Sequence, residues 1–293
     1  MSDLPAKYGR YALITGASSG IGAEFAAQLA AAGFDLILVA RRTDRLDALA
    51  HELHTRTGAQ VITEPLDLAA PGAVDELVRR TRGLDVGLVV VSAGVTVGGA
   101  FTDNDYHAET AVIQLNAVAL MQLAHRYGRA MTNRRRGALI LLSSSVGHFA
   151  APYLANYAAT KAYVSALGRA LHYEFKPAGV DVLTVAPGPT DTEGLNTAEG
   201  IDFTALPLPL MATTAVVRKS LRRLGRAAVV IPGPMNKFTD FLATHLLPRS
   251  VMTALFGRLL SRARVPRPPA DADRGVGVSA DPQAISTTGN THP

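Results

Sequence analysis

Short, continuously apolar runs alternate along the chain with longer stretches in which apolar residues recur at helical spacing. The short runs have no polar face, which is typical of strands buried on both sides of a parallel sheet. They predict seven strands, at residues 11–14, 35–40, 60–63, 86–91, 138–142, 180–186 and 227–231. The longer stretches predict helices at residues 23–32, 45–57, 74–82, 103–132, 153–176 and 213–224. This alternation predicts an α/β fold, a single doubly wound domain around a seven-stranded parallel sheet, over residues 1–234.

Two segments of different composition follow this domain. Residues 235–264 are apolar-rich and amphipathic, with an interruption at Pro248, and predict a helical extension. The extension either packs on the sheet, forms a contact within a homodimer or homotetramer, or makes peripheral contact with a membrane through Arg249, Arg258 and Arg262. Residues 265–293 contain five Pro and almost no large apolar residues, so we expect a disordered tail.

The composition excludes several classes of partner. The chain of 293 residues has no Cys, which rules out disulfides and thiolate metal sites, and we expect no bound metal. Its net charge of +5 is scattered, and the longest run of cations is residues 134–136, so nucleic acid is not an expected partner. There is no apolar run long enough to span a membrane and no signal peptide at the N-terminus, so we expect a cytoplasmic protein.

A glycine-rich segment separates the first strand from the first helix. Gly16 permits a tight turn, Gly20 lets the backbone approach a ligand, and Gly22 lets the helix pack closely on the strand. The start of the helix offers free N–H groups and the positive end of its dipole to a pyrophosphate. The alternative is an ordinary glycine-rich turn. We favour a dinucleotide site, with contacts from Gly16, Ser18, Ser19, Gly20, Ile21 and Gly22.

The end of the second strand indicates which dinucleotide binds. A carboxylate there bonds the ribose 2′-hydroxyl of NAD, whereas cations bind the 2′-phosphate of NADP. This strand ends in Arg41 and Arg42 with no carboxylate, and Arg binds phosphate bidentately. We therefore expect NADP(H) rather than NAD(H); surface charge at a helix start is the alternative. Asp67, after the third strand, either accepts from the adenine amino group or caps the next helix.

Small residues and a turn follow two later strands. Ala93 and Gly94 end the fourth strand and let a cofactor lie against the backbone. After the sixth strand, residues 187–192 turn back over the face where the cofactor is expected. From this turn we expect cofactor contacts by Pro187, Gly188, Thr190 and Thr192.

Tyr157 and Lys161 lie four residues apart in a predicted helix, which places them one turn apart on the same face. A neighbouring cation lowers the pKa of a tyrosine and makes it a better proton donor. Ser144 follows the fifth strand, thirteen residues before Tyr157, at the edge where ligands bind. Asn116 lies in an apolar helical stretch, where it must find partners, disturb the helical ladder or hold a water. The alternatives are a solvated helix contact for the Tyr–Lys pair and a structural role for Asn116.

Two segments, residues 146–153 and 193–211, are expected to line the substrate. They are rich in apolar side chains and contain no Lys or Arg, which favours a lipophilic ketone or alcohol over a charged sugar or phosphate. We expect Val146 and Phe149 to contact the substrate together with Ser144 and Tyr157. Alternatively, these apolar residues bury a lid on the core. A lone His148 in this segment is more often a loop residue than a catalyst.

Together these residues come in the order and spacing of the short-chain dehydrogenase/reductase superfamily, which the chain resembles over about residues 8–232. It is most similar to the hydroxysteroid dehydrogenase and 3-ketoacyl reductase-like branch, by the Leu-Val-Ala-Arg-Arg strand end and the C-terminal extension. The resemblance implies a Rossmann fold and an NADP-dependent oxidoreductase that acts on CH–OH groups. The motifs that carry it are Thr15-Gly16-x3-Gly20-x-Gly22, Asp67, Ala93-Gly94, Asn116, Ser144, Tyr157-x3-Lys161 and Pro187-Gly188.

The resemblance also implies roles for the matching residues. Tyr157 would be the acid or base at the substrate oxygen, and Ser144 would hydrogen-bond the same oxygen. Lys161 would lower the pKa of Tyr157 and bind the nicotinamide ribose. Asn116 would hold a water that links Lys161 to solvent, and Thr192 would contact the carboxamide.

On the adenosine side, the resemblance implies that Arg42, with Arg41, binds the 2′-phosphate. The family usually has Asn-Asn-Ala-Gly after the fourth strand, whereas this chain has Val91-Ser92-Ala93-Gly94. That departure affects a structural or adenosine-side contact and not the chemistry. The alternative function is a non-catalytic NADPH-sensing or scaffold protein, because a fold does not fix its function.

Overall fold

The computed structural model describes residues 4–206 and 209–265, and this part of the chain contains one sheet of seven strands. The strands are β1 (Tyr11–Thr15), β2 (Asp35–Ala40), β3 (Val61–Pro65), β4 (Val86–Val91), β5 (Gly137–Leu142), β6 (Val180–Val185) and β7 (Val229–Val230). Their order is β3-β2-β1-β4-β5-β6-β7, and every neighbouring pair is parallel. The predicted α/β fold with a seven-stranded parallel sheet is confirmed.

Helices connect the strands and cover both faces of the sheet. They are α1 (Leu4–Tyr8), α2 (Gly20–Ala31), α3 (Thr43–Thr57), α4 (Ala73–Arg80), α5 (Tyr106–Ile113), α6 (Leu120–Asn133), α7 (Ala155–Phe175), α8 (Glu193–Asn196), α9 (Thr213–Arg223), α10 (Pro234–Phe241) and α11 (Arg249–Ser261). A π-helical segment, Gln114–Ala119, joins α5 to α6, and a second, Leu242–Leu246, follows α10.

Successive side chains of a strand alternate between two apolar cores. In β1, Ala12 and Ile14 belong to the core that contains Phe25 of α2, whereas Tyr11 and Leu13 belong to the core on the opposite face. Every residue of β1 is buried. Because helices cover both faces, the strands need no polar side, which explains the continuous apolar runs in the sequence.

The strand order reverses between β1 and β4, which is where ligands bind in open α/β sheets. Thr15 ties the ends of these two strands together. Its hydroxyl accepts hydrogen bonds from the backbone N–H groups of Ser92 and Ala93, at 3.1 and 3.0 Å. The carboxyl ends of the central strands are therefore held together on one edge of the sheet.

Two predicted helices differ from the observed ones. The helix predicted at residues 103–132 is interrupted by the π-helical segment Gln114–Ala119, which contains Asn116. The sequence marks this position only by Asn116, for which a disturbed helical ladder is one of the expected alternatives. The helix predicted from residue 153 begins at Ala155, because Tyr153 has a left-handed φ of 65°.

The C-terminal helices pack against the segments that follow β5 and β6. Leu260 at the end of α11 belongs to an apolar cluster with Ile201. The rings of Phe149 and Phe256 lie 4.2 Å apart between their centroids. The extension is therefore joined by apolar contacts to the two segments that are expected to line the substrate.

The backbone continues this contact beyond α11. The N–H of Val265 donates to the carbonyl of Gly200 at 3.2 Å, so ordered structure extends one residue past the predicted start of the tail. The rest of the predicted tail, residues 266–293, lies outside the described residues. Across residues 4–206 and 209–265, none of the helices has both the length and the apolar character needed to cross a bilayer.

Thr184 in β6 carries a polar group that the fold does not satisfy. Its side chain is fully buried, and among the described residues its hydroxyl has no hydrogen-bond partner. Helix α7 passes close by, since a Cβ on Gly168 would lie 2.0 Å from this hydroxyl oxygen. Burial without a partner costs free energy that an apolar group of the same shape does not cost.

We expect Thr184→Val to raise the free energy of unfolding by about 1 kcal/mol, because it replaces the buried hydroxyl with a methyl of similar size. Chemical denaturation measures this change. The control Thr184→Ser keeps the hydroxyl, loses the methyl and is expected to be less stable than the parent protein. A Val variant less stable than the parent would show that the hydroxyl is satisfied after all.

Candidate active site

A cavity of about 690 Å³ opens at the carboxyl edge of the sheet. It brings together most of the residues that the sequence predicts to bind cofactor or substrate. Asn116 and Phe149 are not among its lining residues. The predicted residues that line it are Gly16, Ser18, Ser19, Gly20, Ile21, Gly22, Arg41, Arg42, Asp67, Ala93, Gly94, Ser144, Val146, Tyr157, Lys161, Pro187, Gly188, Thr190 and Thr192.

The glycine-rich loop has the geometry that its sequence predicts. Gly16 and Gly20 have φ values of 67° and 58°, a left-handed region that favours glycine. A Cβ on Gly22 would lie 2.2 Å from the carbonyl oxygen of Gly16, so only glycine fits where α2 meets the loop. The N-cap residue of α2, Ser19, makes no side-chain cap hydrogen bond. The first N–H groups of α2 are therefore left for an anion.

The backbone around the loop fits a dinucleotide. A Cβ on Gly16 would lie 2.9 Å from the backbone of Ala93, so the ends of β1 and β4 approach closely. A Cβ on Gly94 would lie 3.1 Å from Oδ1 of Asn116 and 3.5 Å from Nζ of Lys161. Small residues at these positions leave a surface of backbone against which a cofactor can lie.

Arg42 lies at the centre of a polar cluster at the end of β2. It donates to both carboxylate oxygens of Glu193, at 2.8 and 3.2 Å, and to the hydroxyls of Ser18 and Ser19, at 3.1 and 3.2 Å. Arg45 donates to the same carboxylate at 2.6 Å. Hydrogen bonds from Arg42 and Arg45 lower the pKa of Glu193 to about 2. Two cations thus converge on one carboxylate, and two hydroxyls accept from one of the cations, Arg42.

Glu193 was not predicted from the sequence as part of this cluster. No carboxylate follows β2 directly, but α8 brings one from more than 150 positions further along the chain. A chain separation of this size leaves no local pattern to detect. The only signal was the position of Glu193 directly after residues 187–192, which are expected to turn over the cofactor face, and at the start of the segment expected to line the substrate.

Asp67 does not cap the following helix. Its Oδ1 accepts from the N–H of Ala69 at 3.0 Å, and α4 begins only after Gly72. The capping alternative is therefore wrong, while a contact with adenine stays a prediction. Thr192 caps α8 by accepting from the N–H of Leu195 at 3.2 Å.

Tyr157 hydrogen-bonds two hydroxyl side chains, Ser144 and Thr96. Burial raises the pKa of Tyr157 above its ordinary value, and these two hydrogen bonds offset only part of that rise. The pKa of Tyr157 is therefore above its ordinary value in this structure, and the role of Lys161 in lowering it stays a prediction. Nζ of Lys161 lies 5.6 Å from the centroid of the Tyr157 ring, and burial is the larger effect.

Lys161 is buried on α7 and bonded to the end of β5. Its Nζ donates to the carbonyl of Leu142 at 2.9 Å. Burial lowers the pKa of Lys161 to about 8, because no carboxylate compensates for the lost hydration. The pKa of Lys161 therefore lies close to neutral pH, where the side chain can gain or lose a proton when a neighbouring group transfers one.

Asn116 is almost completely buried, and its side chain is held by protein groups. Oδ1 accepts from the N–H of Val95, and Nδ2 donates to the carbonyl of Val95, both at 2.9 Å. Nδ2 also lies 3.3 Å from the hydroxyl oxygen of Thr160 on α7. The predicted disturbance of the helical ladder is confirmed by the π-helical segment around Asn116. Its role in holding a water stays a prediction.

The two segments expected to line the substrate meet in one apolar cluster. Val146 lines the cavity with Leu195 and Phe203. Phe149 instead packs on Phe256 of α11, which matches the alternative that part of this segment buries a lid. The cavity is thus apolar on the side away from the glycine loop.

Thr96 is a site residue that the sequence reasoning missed. It lines the cavity and hydrogen-bonds the hydroxyl of Tyr157. The available signal was its position two residues after Gly94, at the carboxyl end of β4, where side chains face a ligand.

The arrangement joins a glycine loop at the start of a helix to a half-buried tyrosine, a half-buried serine and a buried lysine around one cavity. The family model for short chain dehydrogenases matches residues 10–200, which is most of the chain. The chain belongs to the short-chain dehydrogenase family. It is therefore an oxidoreductase built to bind a nicotinamide dinucleotide.

Relatives of this short-chain dehydrogenase include a 7beta-hydroxysteroid dehydrogenase from Collinsella aerofaciens, which is 31% identical over 247 residues, 83% of this chain and 94% of the relative. A very-long-chain 3-oxoacyl-CoA reductase from Mycosarcoma maydis is 30% identical over 82% of this chain and 70% of its own length. These similarities place the chain in the hydroxysteroid dehydrogenase and ketoacyl reductase-like branch.

Two solved structures are also similar to this chain. A structure described in a study of 7beta-hydroxysteroid dehydrogenase stereoselectivity superposes with a TM-score of 0.80 at 28% identity, over 87% of this chain and 99% of that one. A short-chain dehydrogenase from Sphingobium yanoikuyae in complex with NADPH gives a TM-score of 0.71 at 33% identity, over 89% and 99%.

The lowered pKa of Lys161 predicts how stability depends on pH. Between about pH 8 and the ordinary lysine value of 10.5, the unfolded chain binds this proton and the folded protein does not. Stability from this group therefore rises with pH through that window and is lost as pH falls through 8. We expect Lys161→Met to flatten the rise in the free energy of unfolding between about pH 8 and 10.

Urea unfolding curves across this range measure the effect. The window ends below the range in which Tyr8 and Tyr127 contribute, because burial raises the pKa of each to about 12. Lys237→Met, on α10, is the matched control and is expected to leave the pH dependence unchanged. Equal slopes for the parent protein and Lys161→Met would contradict the buried, weakly basic lysine.

Proposed function

We propose that this protein transfers a hydride between NADP(H) and a lipophilic ketone or secondary alcohol, with Tyr157 as general acid or base. The observation that carries the proposal is the contact of Tyr157 with Ser144 and Thr96 in the cavity that also holds the glycine loop. A hydroxyl that lines a cavity and is hydrogen-bonded in this way is placed to exchange a proton with a bound substrate oxygen.

The side chains around the cavity have separate roles in the proposed proton transfer. The raised pKa of Tyr157 keeps its hydroxyl protonated and able to donate to a carbonyl oxygen. After donation, the phenolate is stabilised by the hydroxyls of Ser144 and Thr96 and by the nearby charge of Lys161. When bound, the nicotinamide supplies or accepts the hydride, and the protein contributes position and charge. Alcohol oxidation uses the same groups in reverse.

The choice of NADP(H) over NAD(H) rests on Arg41, Arg42 and Arg45. Arg42 and Arg45 already bind a carboxylate, which shows that their guanidinium groups converge on one anion. We infer that the 2′-phosphate of NADP takes the place of Glu193 between them. The structural relative in complex with NADPH supports this choice.

The apolar half of the cavity supports a lipophilic substrate. Val146, Leu154 and Phe203 line it, and no Lys or Arg occurs in residues 146–153 or 193–211. The relatives named for hydroxysteroids and very-long-chain 3-oxoacyl-CoA act on compounds with large apolar parts. A steroid, acyl or similar carbonyl compound fits both observations. The alternative, a non-catalytic NADPH-sensing or scaffold protein, gives no reason for Tyr157, Ser144 and Lys161 to line one cavity together.

Exposed apolar side chains bear on assembly. Five such side chains among the described residues of α5, α6 and α7 support the prediction of a homodimer or homotetramer: Tyr106, Ile113, Met121, Tyr163 and Tyr173. A second group, on the C-terminal extension, supports either a subunit contact or the predicted peripheral membrane contact: Met235, Phe238, Phe241, Leu246, Val251 and Leu255. A cytoplasmic location stays a prediction.

Tyr157→Phe tests the chemistry. It removes the proton donor and keeps the ring, so we expect turnover to fall by about 10²–10⁴-fold or more while NADPH binding persists. Reduction of a panel of lipophilic ketones, followed by NADPH absorbance, measures turnover, and cofactor fluorescence measures binding. The chain has no Trp, so fluorescence from bound NADPH has little background.

Tyr163→Phe is the matched control, because Tyr163 lies on the same helix with an exposed ring. It is expected to leave both measurements unchanged. Full activity in Tyr157→Phe would contradict the role of Tyr157 as general acid or base, whereas loss of NADPH binding would assign Tyr157 a structural role.

Glu193→Gln tests the cofactor preference. Because the variant removes the carboxylate that competes for Arg42 and Arg45, we expect NADPH to bind roughly two- to tenfold more tightly, the range set by one or two exposed ion pairs. NADH affinity is expected to change less, since NADH has no 2′-phosphate. Fluorescence titration with each cofactor measures the two dissociation constants.

Glu52→Gln is the control, because Glu52 forms an exposed ion pair with Arg56 on α3. Arg42→Ala is expected to weaken NADPH binding more than NADH binding. Tighter binding of NADH than NADPH by the parent protein would overturn the assignment of these arginines to a phosphate.

A further inference from the structure

A chain of polar side chains runs from the C-terminal extension to the backbone of α7. Asp240 of α10 contacts Nδ1 of His148 through Oδ1. Nε2 of His148 lies 3.3 Å from the hydroxyl of Ser165, which lies 2.7 Å from the hydroxyl of Ser143. Ser143 in turn donates to the carbonyl of Lys161 at 2.7 Å. The side chains of His148 and Asp240 are 6% and 15% exposed, so solvent competes little for these bonds.

The Ser165–His148–Asp240 part of this chain has the composition of a nucleophilic triad, but it cannot act as one. Ser165 is buried, and its hydroxyl is engaged by Ser143. None of the three residues lines the cavity. A nucleophile needs access to a substrate carbon. The hydrogen-bonded network of Asp240, His148, Ser165 and Ser143 therefore holds other groups in place.

The hydrogen bonds in this chain have a fixed direction. The carbonyl of Lys161 only accepts, so Ser143 donates to it and must accept from Ser165. Ser165 has then used its hydrogen and must accept from Nε2 of His148. An ionised Asp240 also only accepts, so Nδ1 of His148 carries a proton as well. The network assigns His148 two ring protons and a positive charge.

This hydrogen-bonded network of side chains fixes two parts of the active site relative to each other. Ser143 lies between the end of β5 and Ser144, and Lys161 lies one turn after Tyr157 on α7. The same interface is tightly packed, because a Cβ on Gly147 would lie 2.6 Å from the carbonyl carbon of Lys161. A small shift at this interface changes the distance between the Ser144 and Tyr157 hydroxyls.

We propose that His148 is a positioning residue, held as an imidazolium by Asp240, that sets Ser144 against Tyr157 through Ser165 and Ser143. The C-terminal extension therefore completes the active site without contributing a group to the cavity. The kinetic part of this inference rests on the proposed function, whereas the charge of His148 does not.

The first test measures the protonation of His148 directly. Nitrogen NMR of the full chain labelled at its 8 histidines, with the signal assigned by comparison with His148→Gln, reports protonation at each ring nitrogen. At neutral pH we expect His148 to be protonated at both nitrogens. His172 is an internal reference, because its Nδ1 lies 2.8 Å from the carbonyl of Val182 and donates to it. A neutral His148 in the parent protein would overturn the proposal.

The second test uses the difference between two changes at Asp240. In Asp240→Asn, the amide donates to Nδ1 of a neutral His148, and His148 still donates through Nε2. The hydrogen-bonded network is therefore kept although His148 has lost its positive charge. Asp240→Ala and His148→Ala break the network. We expect kcat to fall roughly tenfold to a hundredfold in the two Ala variants, the cost of misplacing reacting groups by about 1 Å, with KM for NADPH unchanged. Asp240→Asn is expected to keep near-parental kcat and to show His148 protonated only at Nε2.

His245→Ala is the matched control, because His245 lies on the same extension, is exposed, and in the described residues hydrogen-bonds its neighbour Thr244 and stacks on Phe241, away from the cavity-lining residues. It is expected to leave kcat unchanged. NADPH binding by fluorescence checks that each variant is folded. Parental kcat in Asp240→Ala, or equal losses in the Asn and Ala variants, would contradict the positioning role. Absence of turnover in the parent protein would instead count against the proposed function, and the NMR result would stand by itself.

Discussion

Helix α7 is fastened to the end of β5 by two hydrogen bonds that run in opposite directions. Nζ of Lys161 donates to the carbonyl of Leu142, and the hydroxyl of Ser143 donates to the carbonyl of Lys161, at 2.9 and 2.7 Å. Both bonds are buried, where little water competes for their partners. They place the helix that carries Tyr157 beside the strand end that carries Ser144. The geometry proposed for proton transfer depends on this junction.

The junction has an electrostatic cost that serves the chemistry. Burial of Lys161 without a carboxylate lowers its pKa to about 8, and burial of Tyr157 raises the pKa of its hydroxyl. The two shifts move apart two pKa values that nearly coincide in water, so Tyr157 keeps its proton at a pH at which Lys161 has already lost its own.

Much of the fold and part of the site could be predicted from the sequence, because they depend on neighbours along the chain. Continuous apolar runs identify buried parallel strands, and the glycine loop is readable because Gly16, Gly20 and Gly22 each satisfy a local steric requirement. Spacing alone places Lys161 one turn after Tyr157. These features could be predicted because each depends on residues within about one helical turn or one loop of each other.

The rest depends on contacts between distant segments, which local patterns do not record. Glu193 meets Arg42 across 151 positions, and Asp240 meets His148 across 92. His148, read alone, resembles a loop residue, and it gains a role only when α10 brings a carboxylate to it. The net direction of the Tyr157 pKa could not be predicted from the sequence for a related reason. The adjacent cation is visible in the sequence, whereas the burial that outweighs it is a property of the assembled fold.

The C-terminal extension explains why family membership and substrate choice are separate questions. The family match ends at residue 200, and the residues that support the substrate side continue well beyond it. Ile201 pairs with Arg264, and Phe256 packs on Phe149, so the walls near the cavity are braced by the last described helix. The part of the chain that matches the family holds the nucleotide loop and the proposed proton donor. The extension beyond it packs on the segment after β5 and on the segment after β6, both expected to line the substrate, so its contacts lie behind the cavity wall and not in the cavity.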